Sequence, residues 1–296
     1  MSKSTAPELW ITEEHQGTVR LSFKVAQSLF SRRSAYQQVD VVETRGHGNM
    51  LLNDGVVMLC ERDEFVYHEM IAHVPLFVHP SPRRVLIIGG GDGGTAREVL
   101  RHQGIEQVVM VEIDAMVVDA CRRHLPSVSR ALDDPRLELL IEDGVRYVAE
   151  TDRRFDLVIV DSTDPVGPAE PLFNQDFYRN VARILQDEGI LVTQAESAHY
   201  DRKIQKPMLG DQRGFFPRLH LYLYSNLTYP GGLWCFGFAS KKYCPVKDFD
   251  PGRVDEAGIK TRYYNPGVHY GAFMLPNFVA EELAGVLDPI PGLSAK

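Results

Sequence analysis

Five acids carry the chemistry that can be read first from this sequence: Asp92, Glu112, Asp143, Asp161 and Asp164. Asp92 lies inside "LIIGGGDGGTAREVL" at 86–100, where Gly89, Gly91 and Gly94 keep the G-x-G-x-x-G spacing that seats a dinucleotide pyrophosphate. The bare N–H groups of a helix N-terminus attract a pyrophosphate. A carboxylate in the same loop repels it. Asp92 therefore argues against NAD and for an adenosyl ligand that lacks phosphates and carries an amine or a sulfonium. Glu112 stands about 20 residues past the loop, where an acid hydrogen-bonds ribose hydroxyls. Asp143 is followed by Gly144, and Asp161 opens "DSTDPVGP", which contains Asp164. Each acid also has a purely structural use. Asp92 suits a helix N-terminus, Asp143-Gly144 a turn and Asp164-Pro165 a loop. Crowded together they repel one another unless something cationic offsets them.

The elements that must bring them together follow from the apolar pattern. "RVLIIG", "QVVMVEID", "RLELLIED", "FDLVIVD" and "GILVTQAE" are five apolar runs of strand length. Helical stretches such as "TAREVLRHQG", "MVVDACRRHL" and "NQDFYRNVARILQDEG" lie between most of them. Near-continuous apolar strands alternating with helices predict a parallel sheet covered on both faces. Ligands bind such sheets outside the carboxyl ends of the strands. Four consecutive strands end in these acids and deliver them to one rim. "LYLYSNLT" and "LWCFGFASK", separated by "YPGG", predict a closing hairpin. Ahead of the sheet, residues 18 to 60 read as short strands, with "NDG" at 53–55 as a tight-turn signal. From Asp63, a predicted N-cap, Val66, Met70, Val74 and Phe77 recur at helical spacing, with Tyr67 and His68 off that stripe.

Composition narrows the function. A net charge of −8 without a long Lys/Arg run argues against nucleic-acid binding. No stretch approaches the ~18 continuous apolar residues of a membrane span. "MSKSTAPELWITEEHQG" lacks a basic-then-apolar signal pattern. Cys60, Cys121, Cys235 and Cys244 form no C-x-x-C pair and suit neither a zinc site nor a disulfide framework. These features predict free thiols and a cytoplasmic protein.

The whole pattern resembles the spermidine synthase family, the polyamine aminopropyltransferases, from about Leu9 to about Leu283. The motifs that carry the resemblance are "DGVVMLCERDEFVYHEM", "VLIIGGGDGGTAREV", "VEID", "EDG", "DSTDPVGPAEPLF", "LTYPGG" and "RYYNPGVHYGAFMLP". The resemblance implies an α/β fold. A methyltransferase-like Rossmann domain, residues 63–296, would hold a seven-stranded mostly parallel sheet with a C-terminal antiparallel hairpin. A small N-terminal antiparallel β domain, residues 1–62, would precede it. It implies decarboxylated S-adenosylmethionine as a co-substrate, with no cofactor and no metal, and a diamine, usually putrescine, as acceptor. Homodimers or homotetramers are implied as well.

By the same resemblance Gln37, Asp92, Glu112, Asp143, Gly144 and Pro168 contact the donor. Tyr67, His68, Asp92, Asp161, Asp164 and Tyr229 contact the polyamine, and Asp161 is the catalytic proton acceptor. Pro168 ends a loop over the site. His68 stands where some members have glutamine, and "YSNLTYPGG" and "QAESAHYDRK" depart from the usual runs, which leaves the acceptor amine open. Three other readings remain: an S-adenosylmethionine-dependent methyltransferase, an NAD-linked oxidoreductase and a non-catalytic polyamine-binding protein. Asp92 disfavours the first two, and Asp161, a base that a mere binder does not need, disfavours the third.

Overall fold

A computed structural model describes residues 8–164 and 167–290 of the 296-residue chain, with the side chain of Pro168 outside the description. The first five strands form one antiparallel sheet in sequence order. They are β1 (Leu9–His15), β2 (Val19–Arg33), β3 (Gln38–Thr44), β4 (Gly48–Asn53) and β5 (Val56–Cys60). Asn53 pairs with Val56, so Asp54-Gly55 makes a two-residue turn, with φ of 48° and 84°. Such left-handed angles are what Asp-Gly tolerates. β1 lies ahead of the predicted start at residue 18. Its "LWITEEH" alternates only weakly, and pairing along its whole length with Val19–Val25 of β2 decides its state.

Helix α1 (Glu64–Val78) is buried at every position except Phe65. Its apolar stripe therefore does not mark a single inner face, and Tyr67 and His68 are as enclosed as Val66 and Met70. Asp63 sits at the N-cap position without making the cap bond. Its carboxylate instead accepts the backbone N–H groups of Leu227 (2.9 Å) and Thr228 (3.1 Å) and the Cys60 thiol (2.9 Å). Glu69 of the same helix accepts three N–H groups, from Arg262, Tyr263 and Tyr264, each at 2.8 Å. Two segments of the distal chain, 227–228 and 262–264, are thus tied to α1 and the residue before it.

The second sheet holds β6 (Arg84–Gly89), β7 (Gln107–Glu112), β8 (Leu137–Ile141), β9 (Phe155–Asp161), β10 (Leu185–Ser197), β11 (Arg218–Ser225) and β12 (Leu233–Ser240). Its order is β11-β12-β10-β9-β6-β7-β8. β6 to β10 run parallel. β12 pairs antiparallel with both β10 and β11, so it alone is reversed. The predicted hairpin is present, with its second strand inserted between β10 and β11. Helices α2 (Gly94–Leu100), α3 (Ala115–His124), α4 (Pro126–Ser129), α5 (Gly144–Glu150), α6 (Gln175–Ile184) and α7 (Arg202–Arg213) fill the crossovers. The predicted helix at 174–189 stops at Ile184, where β10 begins. Val39, Val41, Leu51 and Leu59 of the first sheet pack with Val117, Cys121 and Val128 of α3 and α4, joining the two sheets through one apolar cluster. The four cysteines are free and buried. No helix among the described residues is long and apolar enough to cross a membrane.

Candidate active site

An open cleft at the carboxyl ends of β6 to β9 encloses about 1440 Å³, mouth included, and is lined by ten of the eleven residues singled out from the sequence, all but Pro168.

Asp161 closes β9 at its centre. The Tyr67 hydroxyl donates to its Oδ1 and the Thr95 hydroxyl to its Oδ2, both at 2.7 Å. Burial, then repulsion from Asp92, raises its pKa above the usual 3.8, against the opposing pull of His68, Thr95 and Tyr67. A carboxylate so raised is a better proton acceptor at neutral pH. The glycines ahead of it are required by the acids. A Cβ on Gly89 would lie 2.1 Å from the Asp161 carbonyl, and one on Gly91 would lie 2.8 Å from the Glu112 carboxylate. Gly94, in the pyrophosphate-type spacing, gives way instead to the His68 ring, which a Cβ would meet at 2.2 Å.

Asp92 Oδ1 accepts the Gly94 N–H at 2.7 Å and lies 3.2 Å from His68 Nε2. His68 Nδ1 lies 2.6 Å from Glu64, which Arg97 grips with two nitrogens at 3.1 and 2.8 Å. Burial alone would drive the proton off His68, but Asp92 and Glu64 outweigh it and push the pKa up to about 10. Burial likewise opposes ionisation of Glu64, yet His68 and Arg97 hold it at about 2. The result is a buried row of alternating charge, Arg97–Glu64–His68–Asp92. His68, expected among the polyamine contacts, has both ring nitrogens committed to carboxylates and neither left for an amine. His68, Asp92 and Asp161 each bring one potential ligand atom within 4.8 Å of the others. Both ring nitrogens of that His68 already face carboxylates, Glu64 at 2.6 Å and Asp92 at 3.2 Å.

At the other side of the glycine loop Glu112 is buried. Its carboxylate accepts the N–H of Gly91 at 3.1 Å and of Asp114 at 2.8 Å. Burial raises its pKa to about 7. Asp143 caps α5 by accepting from Val145 N (2.8 Å) and Arg146 N (3.3 Å), so the turn-like use of this acid is real while it also lines the cleft. Gly144 is needed where a Cβ would come within 2.6 Å of Ile88. Gln37 reaches the cleft from the turn between β2 and β3. The Pro168 side chain lies outside the described residues, as do Pro165 and Val166 of the predicted loop.

The far end gathers around Asp164 two acids, Glu196 and Glu13, that sequence reasoning did not find. Asp164 faces Gln194, whose amide donates to it at 3.4 Å. Burial, then Asp201, raises the Asp164 pKa. Glu196 is raised well above the usual value, by burial and then by Asp164 and Asp201. It takes a φ of +63°, unusual outside glycine. The register of β10 on β12 slips between Gln194 and Ser197, and this bulge turns Glu196 toward Asp164. Glu13, on the missed strand β1, also lines the cleft and is raised to about 7 by burial, despite its bond from Val57 N at 3.0 Å. Tyr67, Tyr224, Tyr229 and Trp234 wall this end. The Tyr229 hydroxyl donates to the Met58 carbonyl at 2.5 Å, which leaves its ring for the cleft. The one signal in the sequence was the atypical "QAESAHYDRK". Thr95, in the first turn of α2, was also missed.

Residues 64–250 match the family described as Spermine/spermidine synthase domain, and residues 9–61 match the Spermidine synthase tetramerisation domain. The chain is 48% identical over 278 residues to a polyamine aminopropyltransferase of Alkaliphilus metalliredigens, covering 93% of this chain and 98% of that one. It is 45% identical over 283 residues to another of Clostridium beijerinckii, covering 95% and 100%. A spermidine synthase solved in complex with the transition-state analogue AdoDATO superposes with a TM-score of 0.92 at 41% identity, covering 96% of this chain and 98% of that one. The spermidine synthase of Thermotoga maritima gives 0.90 at 41%, covering 96% and 97%.

Proposed function

The chain belongs to the spermine/spermidine synthase family and is a polyamine aminopropyltransferase, and we propose that it moves the aminopropyl group of decarboxylated S-adenosylmethionine onto putrescine. The observation that carries this reading is the distribution of acids. A sulfonium, the donor's ammonium and two acceptor ammoniums must be gathered in one cleft, and carboxylates offset them directly. Asp92, held by His68, faces the donor's ammonium. Glu112 and Gln37 take the ribose, and Asp143 and Gly144 the adenine, with Pro168 assigned to the donor by family resemblance alone. Asp164, with Glu196 and Glu13 behind it, takes the far ammonium of the diamine, between the rings of Tyr67 and Tyr229.

An alkylammonium with a pKa near ~10.4 is not a nucleophile at pH 7. Asp161 accepts its proton, directly or through water, with Tyr67 hydrogen-bonded to the same carboxylate. The freed amine then attacks the methylene carbon on sulfur. A carbon–nitrogen bond forms, the carbon–sulfur bond breaks, and its electron pair leaves on the sulfur of neutral methylthioadenosine. Proximity and in-line placement supply much of the remaining acceleration. No step in this reading calls for a metal or a bound cofactor.

Chain length of the acceptor becomes a distance between Asp161 and the far acids. We extend the proposal to a division of the chain at residues 62 and 63, supported by a first sheet that ends at Cys60 and a helix that starts at Glu64. It also includes a homo-oligomer, dimeric or tetrameric, assembled through the first sheet, and a cytoplasmic location. Incubation with decarboxylated S-adenosylmethionine and a panel of amines, with products identified by mass, tests the reaction. Putrescine should give spermidine and methylthioadenosine. Absence of an aminopropyl product with every amine would overturn the reading.

A further inference from the structure

Asp114 lies two residues past Glu112 and is 2% exposed. It joins three things at once. Its Oδ1 accepts Met116 N at 3.0 Å and caps α3. Its Oδ2 accepts the Ser34 hydroxyl at 2.7 Å and the Gln37 Nε2 amide at 3.1 Å. Its own N–H donates to Glu112 Oε1 at 2.8 Å. Ser34 and Gln37 come from the turn between β2 and β3, where the Ser34 hydroxyl also accepts from Tyr36 N (3.0 Å) and Gln37 N (3.1 Å). The acid is therefore a clasp between the first sheet and the nucleotide end of the cleft.

The clasp has a direction. An ionised carboxylate only accepts hydrogen bonds, so the NH2 arm of the Gln37 amide must face Asp114. The carbonyl oxygen, on the other arm of the same trigonal carbon, is left for the cleft that Gln37 lines. Glu112 is already oriented by two backbone N–H groups and has lone pairs to spare on both oxygens. With Glu112 ionised, above its pKa of about 7, this corner presents acceptors only. A ribose diol brings two O–H donors, one for each.

We propose that Asp114 is a positioning residue that fixes the polarity of Gln37, so that Gln37 Oε1 accepts one ribose hydroxyl of the donor while Glu112 accepts the other. The proposal rests on the adenosyl-donor reading above. Without the Asp114 carboxylate the Gln37 amide is free to turn over and offer a donor where the ribose needs an acceptor.

The test is calorimetric binding of 5′-methylthioadenosine and its 2′-deoxy and 3′-deoxy analogues to the full-length protein and two variants. In the wild type each missing hydroxyl should weaken binding by about tenfold or more, the range for a hydrogen bond that orients a ligand. Asp114→Asn keeps a good N-cap for α3 but allows Gln37 either orientation. It should erase one of the two deoxy penalties and leave the other, and in turnover it should raise the donor KM more than it lowers kcat. Ser34→Ala removes the hydroxyl's bonds to Asp114, Tyr36 N and Gln37 N but leaves the Gln37 Nε2–Asp114 bond, and should keep both penalties. Asp114→Asn with both penalties at wild-type size would overturn the assignment, as would a wild type indifferent to both hydroxyls. Failure of the wild type to bind methylthioadenosine at all would sink the donor reading itself, a separate outcome from either of these.

Discussion

The two ends of the cleft hold similar acids in opposite electrostatic states. At the Asp92 end the protein supplies its own cations: Arg97 pairs with Glu64, and His68 bridges Glu64 to Asp92. Ionisation there is already compensated. At the far end Glu13, Asp164 and Glu196 have no Lys or Arg partner among the described residues, and the pKa values of all three are raised. His15 is the basic group closest to hand, 3.8 Å from Asp201. Buried charge is tolerated when paired and drives neutralisation when it is not. One end is thus a finished fixture, and the other waits for a cation that the ligand brings.

Substitutions should separate the two ends. Asp161, between them, gives the largest effect. Asp161→Asn should lower kcat by ~10²–10⁴-fold, the usual contribution of a general base, with methylthioadenosine affinity kept. Full turnover by this variant would remove Asp161 from the chemistry. His68→Gln removes a cation from the finished end and should destabilise the fold by about 3 kcal/mol, as breaking a buried ion pair does. The folded pKa of about 10 lies above the ordinary 6.5. The His68 contribution is therefore complete below pH ~6.5 and is lost as the pH rises through about 10. Urea melts of both proteins at pH 7 and pH 10.5 should show the gap closing. A gap that persists at high pH would mean that packing, not charge, fixes His68.

Glu196→Gln probes the waiting end and should behave in the opposite way. Burial and the neighbouring acids Asp164 and Asp201 disfavour the charge on Glu196, so a neutral glutamine should not lower the melting temperature. It cannot ionise when an ammonium arrives, so the putrescine KM should rise about 10- to 100-fold. A loss of stability without a change in KM would show that both ends are built alike. The smallest effect is on pH. Glu13 must be ionised to attract the amine, and its pKa is about 7. The putrescine KM should rise by less than about tenfold from pH 8 to pH 6, and Glu13→Gln should flatten that dependence.

The same contrast governs what could be read ahead of the structure. Donor-side acids follow apolar runs at the ends of parallel strands, so a local pattern finds them. Glu13 lies on a strand whose alternation is weak and which exists because it pairs with β2. Glu196 owes its direction to a one-residue bulge, and no run of letters announces a bulge. His68 could be placed at the site from its neighbours. Its role turned on Glu64, one helical turn back, and on Asp92, whose distance in space the sequence does not encode. Asp63 fits the N-cap spacing, but two backbone N–H groups and a hydroxyl from residues 227–228 compete for its carboxylate and win.

Apolar periodicity and turn chemistry are local, and by themselves they determined the alternation of strands and helices, the glycine loop and the acids on one rim. Charge compensation is not local. Which acids are paired and which stand open, and which way the Gln37 amide faces, depends on side chains brought together from separate elements. Only the tertiary structure, which sets those distances and the burial that magnifies them, decided that.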